Sequence, residues 1–162
     1  MNEELERKLQ KAFPFMQRGP SRESGDPYAA WGCECEDGWF ALICELCQAI
    51  TDRYGKDGIP VDIVVTQVKE KYAGLRFYYS YEDTEFTKSG MGFHPEAPAD
   101  ETRKALRQDI ARLVWDFEEK SETICEECGA SGAVRTELRY LRTLCDSCYQ
   151  KRRRAISKEG PK

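Results

Sequence analysis

Four of the chain's eight cysteines fall into a single pattern that could hold a metal. Cys125-Glu126-Glu127-Cys128 and Cys145-Asp146-Ser147-Cys148 are two C-x-x-C pairs separated by sixteen residues. Each pair bends the backbone into a knuckle that aims two sulfurs at one point, and one β-hairpin spans the gap. Paired C-x-x-C at this separation is the signature of a tetrahedral zinc site. Four thiolates close the coordination sphere and leave no position for a reacting water, so one structural Zn2+ is expected. Gly129 and Gly132 supply the turns after the first pair, Val134 to Leu144 is rich in β-formers around Arg135, Arg139 and Arg142, and Tyr149 to Ala155 reads as helix. Knuckle, hairpin and ligands at a helix start together describe a zinc-ribbon or treble-clef-like module. A redox dithiol would need one pair set in a long strand–helix unit, which neither pair has.

The other four cysteines, Cys33, Cys35, Cys44 and Cys47, form the looser pattern C-x-C…C-x-x-C. Cys47 falls on the apolar stripe of a helix while Cys44 lies toward its polar flank. Cysteine packs readily as a small hydrophobe, so core packing is favoured over a second zinc site here. His94, the single histidine, sits between Phe93 and Pro95 in a Pro-rich loop and is read as an exposed loop residue, not a general acid or base. Glycine-rich phosphate cradles, nucleophile elbows and metalloprotease helices are not found. The chain reads as a binding protein, not an enzyme.

A chain of 162 residues suits one domain or one domain with a small appendage. The division expected is a core at residues 1–121 and a four-cysteine module with a basic tail at 122–162. Hydrophobic content of 40% suffices for a core, and 33% charged residues mark a polar surface. No apolar run approaches the ~20 residues of a membrane span. The first residues are acidic where a signal peptide is basic, and reduced cysteines fit the cytoplasm, which is the location expected. Net charge is −4, unevenly spread: residues 1–121 carry 16 Lys and Arg against 23 Asp and Glu, while 122–162 carry 9 against 6. A protein built to neutralise phosphates is usually basic throughout, so nucleic acid would meet only the tail, at Lys151, Arg152, Arg153 and Arg154.

The elements that must position these residues can be read from periodicity. Leu5, Leu9 and Phe13 recur at helical spacing over residues 2–13, with Pro14 as the stop. Trp31 to Gly38 is a compact turn that opens a second helix near Trp39. In that helix Trp39, Ile43, Leu46, Cys47, Ile50 and Tyr54 share a face, and Gly55 is expected to close it in the left-handed conformation. Val61 to Val68 and Leu75 to Tyr81 read as the two strands of a hairpin. Alternation sends Leu75, Phe77, Tyr79 and Tyr81 to one face and Arg76 and Tyr78 to the other. Arg18 to Pro27 and Gly90 to Pro98 read as loops. Asp100 is the expected N-cap of a helix reaching Lys120, with Leu106, Ile110, Leu113, Val114 and Phe117 as its buried stripe. The fold class is therefore α+β: a β-hairpin packed by amphipathic helices, with the metal module at the C-terminal end.

Trp115 lies opposite that stripe. Either another element covers it, most simply the N-terminal helix, or the indole is an exposed hot spot for a protein partner. Arg76 and Tyr78, beside Lys69 and Lys71, could stack on and neutralise nucleotides, though packing with Arg76 in solvent is favoured.

Three segments in this order resemble a known group of proteins: Trp31 to Cys47 (WGCECEDGWFALICELC), Val65 to Tyr79 (VTQVKEKYAGLRFYY) and the cysteine module from Thr123 to Cys148. The resemblance is to a family of small bacteriophage and prophage proteins, from which Cys33 and Cys44 depart. It implies a phage accessory protein with a zinc-binding end, acting in the host cytoplasm on a host or phage protein. Inhibition of a bacterial enzyme or defence system fits that picture. The competing expectation is a nucleic-acid binder that uses the basic tail.

Overall fold

The apolar stripe from Trp39 to Tyr54 is the spine of the core. In the computed structural model, which describes residues 1–18, 27–82 and 100–159, it belongs to a helix spanning Phe40–Lys56, entered through a 3-10 turn at Asp37–Trp39. Trp39, Ile43, Leu46, Cys47, Ile50 and Tyr54 are all buried, as the spacing predicts. Gly58 takes the positive φ of +64°, and the Ile59 and Gly58 amides return to the Tyr54 and Gly55 carbonyls, each at 3.2 Å. That crossed pair of bonds is a Schellman closure: the helix ends at Lys56, beside Gly55 as expected, but Gly58 is the residue that takes the left-handed conformation.

In chain order the elements are α1 (Glu3–Ala12), α2 (Pro27–Trp31), β1 (Cys33–Glu34), α3 (Phe40–Lys56), β2 (Ile63–Lys71), β3 (Gly74–Tyr81), α4 (Glu101–Ser121), β4 (Ala133–Arg135), β5 (Arg142–Leu144) and α5 (Asp146–Glu159). Asn2 caps α1 by accepting the Leu5 amide at 3.0 Å. Asp100 does the same for α4 through the Thr102 amide at 2.9 Å. The expected loop from Gly90 to Pro98, with His94, and most of the Arg18 to Pro27 loop lie outside the described residues.

The larger sheet runs β1-β2-β3, with β1 parallel and β3 antiparallel to β2. The stretch read as a compact turn thus contributes a third strand of two residues, Cys33 and Glu34, pairing with Val68 and Lys69. Two residues carry no period, so sequence patterning could not register it. The β2–β3 turn is only Tyr72-Ala73, both left-handed at φ 54° and 67°, a geometry that hairpins usually give to Asn-Gly. Two side chains hold it: Glu70 Oε1 accepts the Ala73 amide and Thr143 Oγ1 donates to the Ala73 carbonyl, each at 2.7 Å.

α3 and α4 cover the sheet, and Leu106, Ile110 and Val114 of α4 join the core. Leu113 and Phe117 from the expected stripe are half-buried at its margin. α4 also guards the open edge of β3. The outward amides of Leu75 and Phe77 donate to Ser121 Oγ and Glu118 Oε1, both at 2.8 Å. Unpaired strand edges invite pairing with other chains, and here two side chains of a helix satisfy the edge. Arg76, expected in solvent, instead turns to α4, where its Nη1 lies 3.9 Å from Glu118. None of the described helices is long and apolar enough to cross a membrane.

Candidate metal centre

The first knuckle is shaped by its backbone. The Gly129 amide donates to the Cys125 carbonyl at 2.9 Å and the Cys125 amide to the Ala130 carbonyl at 2.7 Å. Gly129 has φ +77°, which only glycine adopts without strain. The chain then runs through β4 and β5, whose register pairs Ala133 with Leu144 and Arg135 with Arg142. Cys145 directly precedes α5 and Cys148 is in its first turn, as expected from the sequence.

This path brings Cys125, Cys128, Cys145 and Cys148 together, with all four sulfurs within 4.8 Å of one another. Cys128 Sγ and Cys145 Sγ are 3.7 Å apart. A tetrahedral ion with ~2.3 Å bonds to sulfur sets its ligands about 3.8 Å apart, so the four sulfurs lie close enough to hold one ion. The Cys148 amide points at Cys145 Sγ at 3.5 Å and is the main reason the Cys145 thiol is lowered to about 7. Cys148 is pushed upward, first by burial and then by its cysteine neighbours. An entering cation would displace protons from such a set, which couples metal binding to pH.

The body of the protein grips the knuckle from outside. The Gly38 amide donates to the Glu126 carbonyl at 2.8 Å, and Trp39 Nε1 donates to the Ile124 carbonyl at 2.8 Å. A Cβ on Gly38 would come within 2.3 Å of the Cys125 carbonyl and 2.6 Å of the Cys128 amide. From the module's side, the Glu126 amide donates to the Thr143 carbonyl at 2.9 Å, and fully buried Thr143 reaches the Ala73 turn. Ion pairs surround the contact: Arg142 meets Glu126 and Glu36, and Arg152 meets Glu127 and Glu36. Gly38, Glu36, Glu126 and Thr143 were not singled out by motif reasoning. The run Glu34-Cys35-Glu36-Asp37-Gly38 hinted at a turn, but nothing local says what packs on it.

The remaining candidates are scattered. Among the described residues the C-terminal quartet is the only group of three or more metal-ligating side chains gathered this closely, so Cys33, Cys35, Cys44 and Cys47 are not brought to one point. Cys33, Cys35 and Cys47 are core residues and Cys44 packs at the core's edge. Burial raises all four thiols, Cys35 to about 12, in contrast to Cys145. Trp115 is 60% exposed on α4, so no described element, the N-terminal helix included, covers it. Tyr78 is exposed on β3 with Lys69 Nζ 5.5 Å from its ring. Lys151, Arg153 and Arg154 are exposed on α5, Arg153 lying 5.6 Å from the Tyr149 ring, whereas Arg152 is drawn into its ion pairs.

No family model, curated protein or solved structure matches this chain. The likeness to phage proteins therefore rests on the three sequence segments alone.

Proposed function

We propose that the chain is a zinc-stabilised, non-enzymatic binding protein that docks on another protein. The convergence of four sulfurs on a knuckle clamped by Gly38 and Trp39 carries this reading. A filled thiolate sphere leaves the ion no open position, and its work is to hold shape. An all-sulfur tetrahedral set suits zinc or iron, and zinc is the ion that such closed sites use for purely structural work. Knuckle, hairpin and helix-borne ligands correspond to a treble-clef or zinc-ribbon arrangement. With the metal structural, the activity falls to the surface, where Trp115 is large, apolar and open to solvent. Tryptophan dominates many protein interfaces because it buries a large rigid area. The sequence resemblance makes the role that of a phage accessory protein, with a host enzyme or defence system as the target.

Nucleic-acid binding by the tail is the second reading, favoured by a shallow groove of about 540 Å³ on α5 that includes Lys151 and Arg154. It is the weaker one because Arg135, Arg142 and Arg152 are already paired with carboxylates of the same chain.

Two measurements test the proposal. Cys125→Ala and Cys145→Ala are expected to lose zinc and unfold the module, since structural zinc contributes about 10–16 kcal/mol in small zinc peptides. If both variants keep the wild-type metal content and melting profile, the structural-zinc reading fails. Capture of a partner from nuclease-treated bacterial lysate should be weakened about 30-fold by Trp115→Ala, with zinc and melting unchanged. Loss of capture on nuclease treatment alone would favour the tail instead.

A further inference from the structure

Beside the first knuckle is a cleft of about 340 Å³ where Glu34, Glu36, Glu70 and Glu126 face Arg142 and the Met1 ammonium. Four carboxylates against two cations leave a surplus of two negative charges, with Arg152 shared between Glu36 and Glu127 at the margin. Each carboxylate is held by one oxygen. Glu34 Oε2 accepts from Gln67 Nε2 at 3.0 Å, Glu70 Oε1 from the Ala73 amide at 2.7 Å, Glu36 Oε1 from Arg152 at 3.3 Å, and Glu126 Oε1 from Arg142. The second oxygen of each has no protein partner among the described residues. For Glu126 this matters most, because the residue is fully buried and its Oε2 is the one buried side-chain polar atom there with no hydrogen bond. A buried carboxylate oxygen without a donor is costly, and a donor delivered by a ligand would relieve that cost.

The spacing discriminates between cations. Magnesium or calcium gathers oxygens at ~2.0–2.6 Å from one centre. Among the described residues, only the four sulfurs bring three or more ligand atoms within 4.8 Å. Carboxylates tethered further apart suit a wider cation with donors on several sides. A guanidinium has five N–H donors in one plane and pairs with carboxylates two bonds at a time. An ammonium concentrates its donors on one atom and cannot span the same set.

We propose that the cleft formed by Glu34, Glu36, Glu70 and Glu126 binds a guanidinium group, carried by a free arginine-like molecule or by an arginine side chain of a partner. The site does not depend on the docking role given to Trp115.

Calorimetric titration of the full, zinc-loaded chain with butylguanidinium, butylammonium, L-arginine and blocked Ala-Arg-Ala tests it. Butylguanidinium should bind at least about fivefold more tightly than butylammonium. Glu34→Gln and Glu70→Gln keep an oxygen for their tethers and remove the charge, and each should weaken binding about tenfold. Amide shifts at Glu34, Glu70 and Glu126 on adding butylguanidinium to the unaltered protein give a readout that needs no variant. Tighter binding of the blocked peptide than of L-arginine assigns the group to a partner protein, and the reverse assigns it to a small molecule. Four results would overturn the proposal: no binding at millimolar butylguanidinium, equal affinity for butylammonium, affinity unchanged in both variants, or magnesium or calcium binding in its place.

Discussion

Glu118 lies where α4 runs along the edge of β3, and its carboxylate serves a strand amide, not another helix residue. Burial raises its pKa above the ordinary 4.5, against the opposing pull of the Phe77 amide and Arg76. The folded state then holds this proton more tightly than the unfolded chain does. Its contribution to stability is full below pH 4.5 and is lost as pH rises through the higher folded value. Glu118→Gln keeps an acceptor for Phe77 and removes the buried charge. It should match the wild type near pH 4 and exceed it at pH 7, read as a difference in urea unfolding that cancels the metal's own pH dependence. Glu118→Ala leaves the Phe77 amide unpaired and should cost about 1–3 kcal/mol at every pH. If the glutamine variant were as damaged as the alanine variant at pH 7, the ion pair with Arg76 would outweigh desolvation.

At the scale of elements, the 3-10 turn ahead of α3 and the first cysteine knuckle are built against each other. Gly38 has no room for a side chain, because the atoms a Cβ would strike are knuckle backbone and cannot swing aside. Gly38→Ala should therefore cost about 1–3 kcal/mol and speed zinc loss to a chelator, although residue 38 is no ligand. Release at the wild-type rate would mean that the turn merely lies beside the knuckle. This contact also marks where sequence reading stops. The cysteine quartet was legible because zinc coordination imposes a spacing on the chain itself. The stripes of α3 and α4 were legible because burial on one side of a helix imposes a period. The two-residue β1, the Schellman closure at Gly58 and the capping of β3 by Ser121 and Glu118 have no period of their own. They depend on which distant element arrives, and a single sequence does not encode that in any local pattern.

For the molecule as a whole, the count of charges and their pairing lead to different expectations. Residues 122–162 carry a surplus of basic side chains. Three of them are neutralised within the fold: Arg135 by Asp146 at 2.6 Å, Arg142 by Glu126 and Glu36, and Arg152 by Glu127 and Glu36. Glu36 comes from the body, so part of the tail's charge is spent holding the module in place. Arg153 is engaged with Tyr149 and Arg139 with Tyr140, so among the described side chains Lys151 and Arg154 are the ones best placed to meet a phosphate. Each phosphate contact on a single strand contributes about −0.7 to the slope of log K against log salt, so two contacts give a slope near −1.4. Anisotropy titrations of single-stranded DNA between low and physiological salt should return a slope no steeper than about −2. The double variant Lys151→Glu, Arg154→Glu should abolish even that weak binding and leave Trp115-dependent capture of the protein partner intact. A slope several times steeper would require phosphates to compete successfully for Arg142 and Arg152. Because those arginines are bonded to the knuckle, such binding would also have to loosen the metal centre, and zinc release on adding DNA would report it.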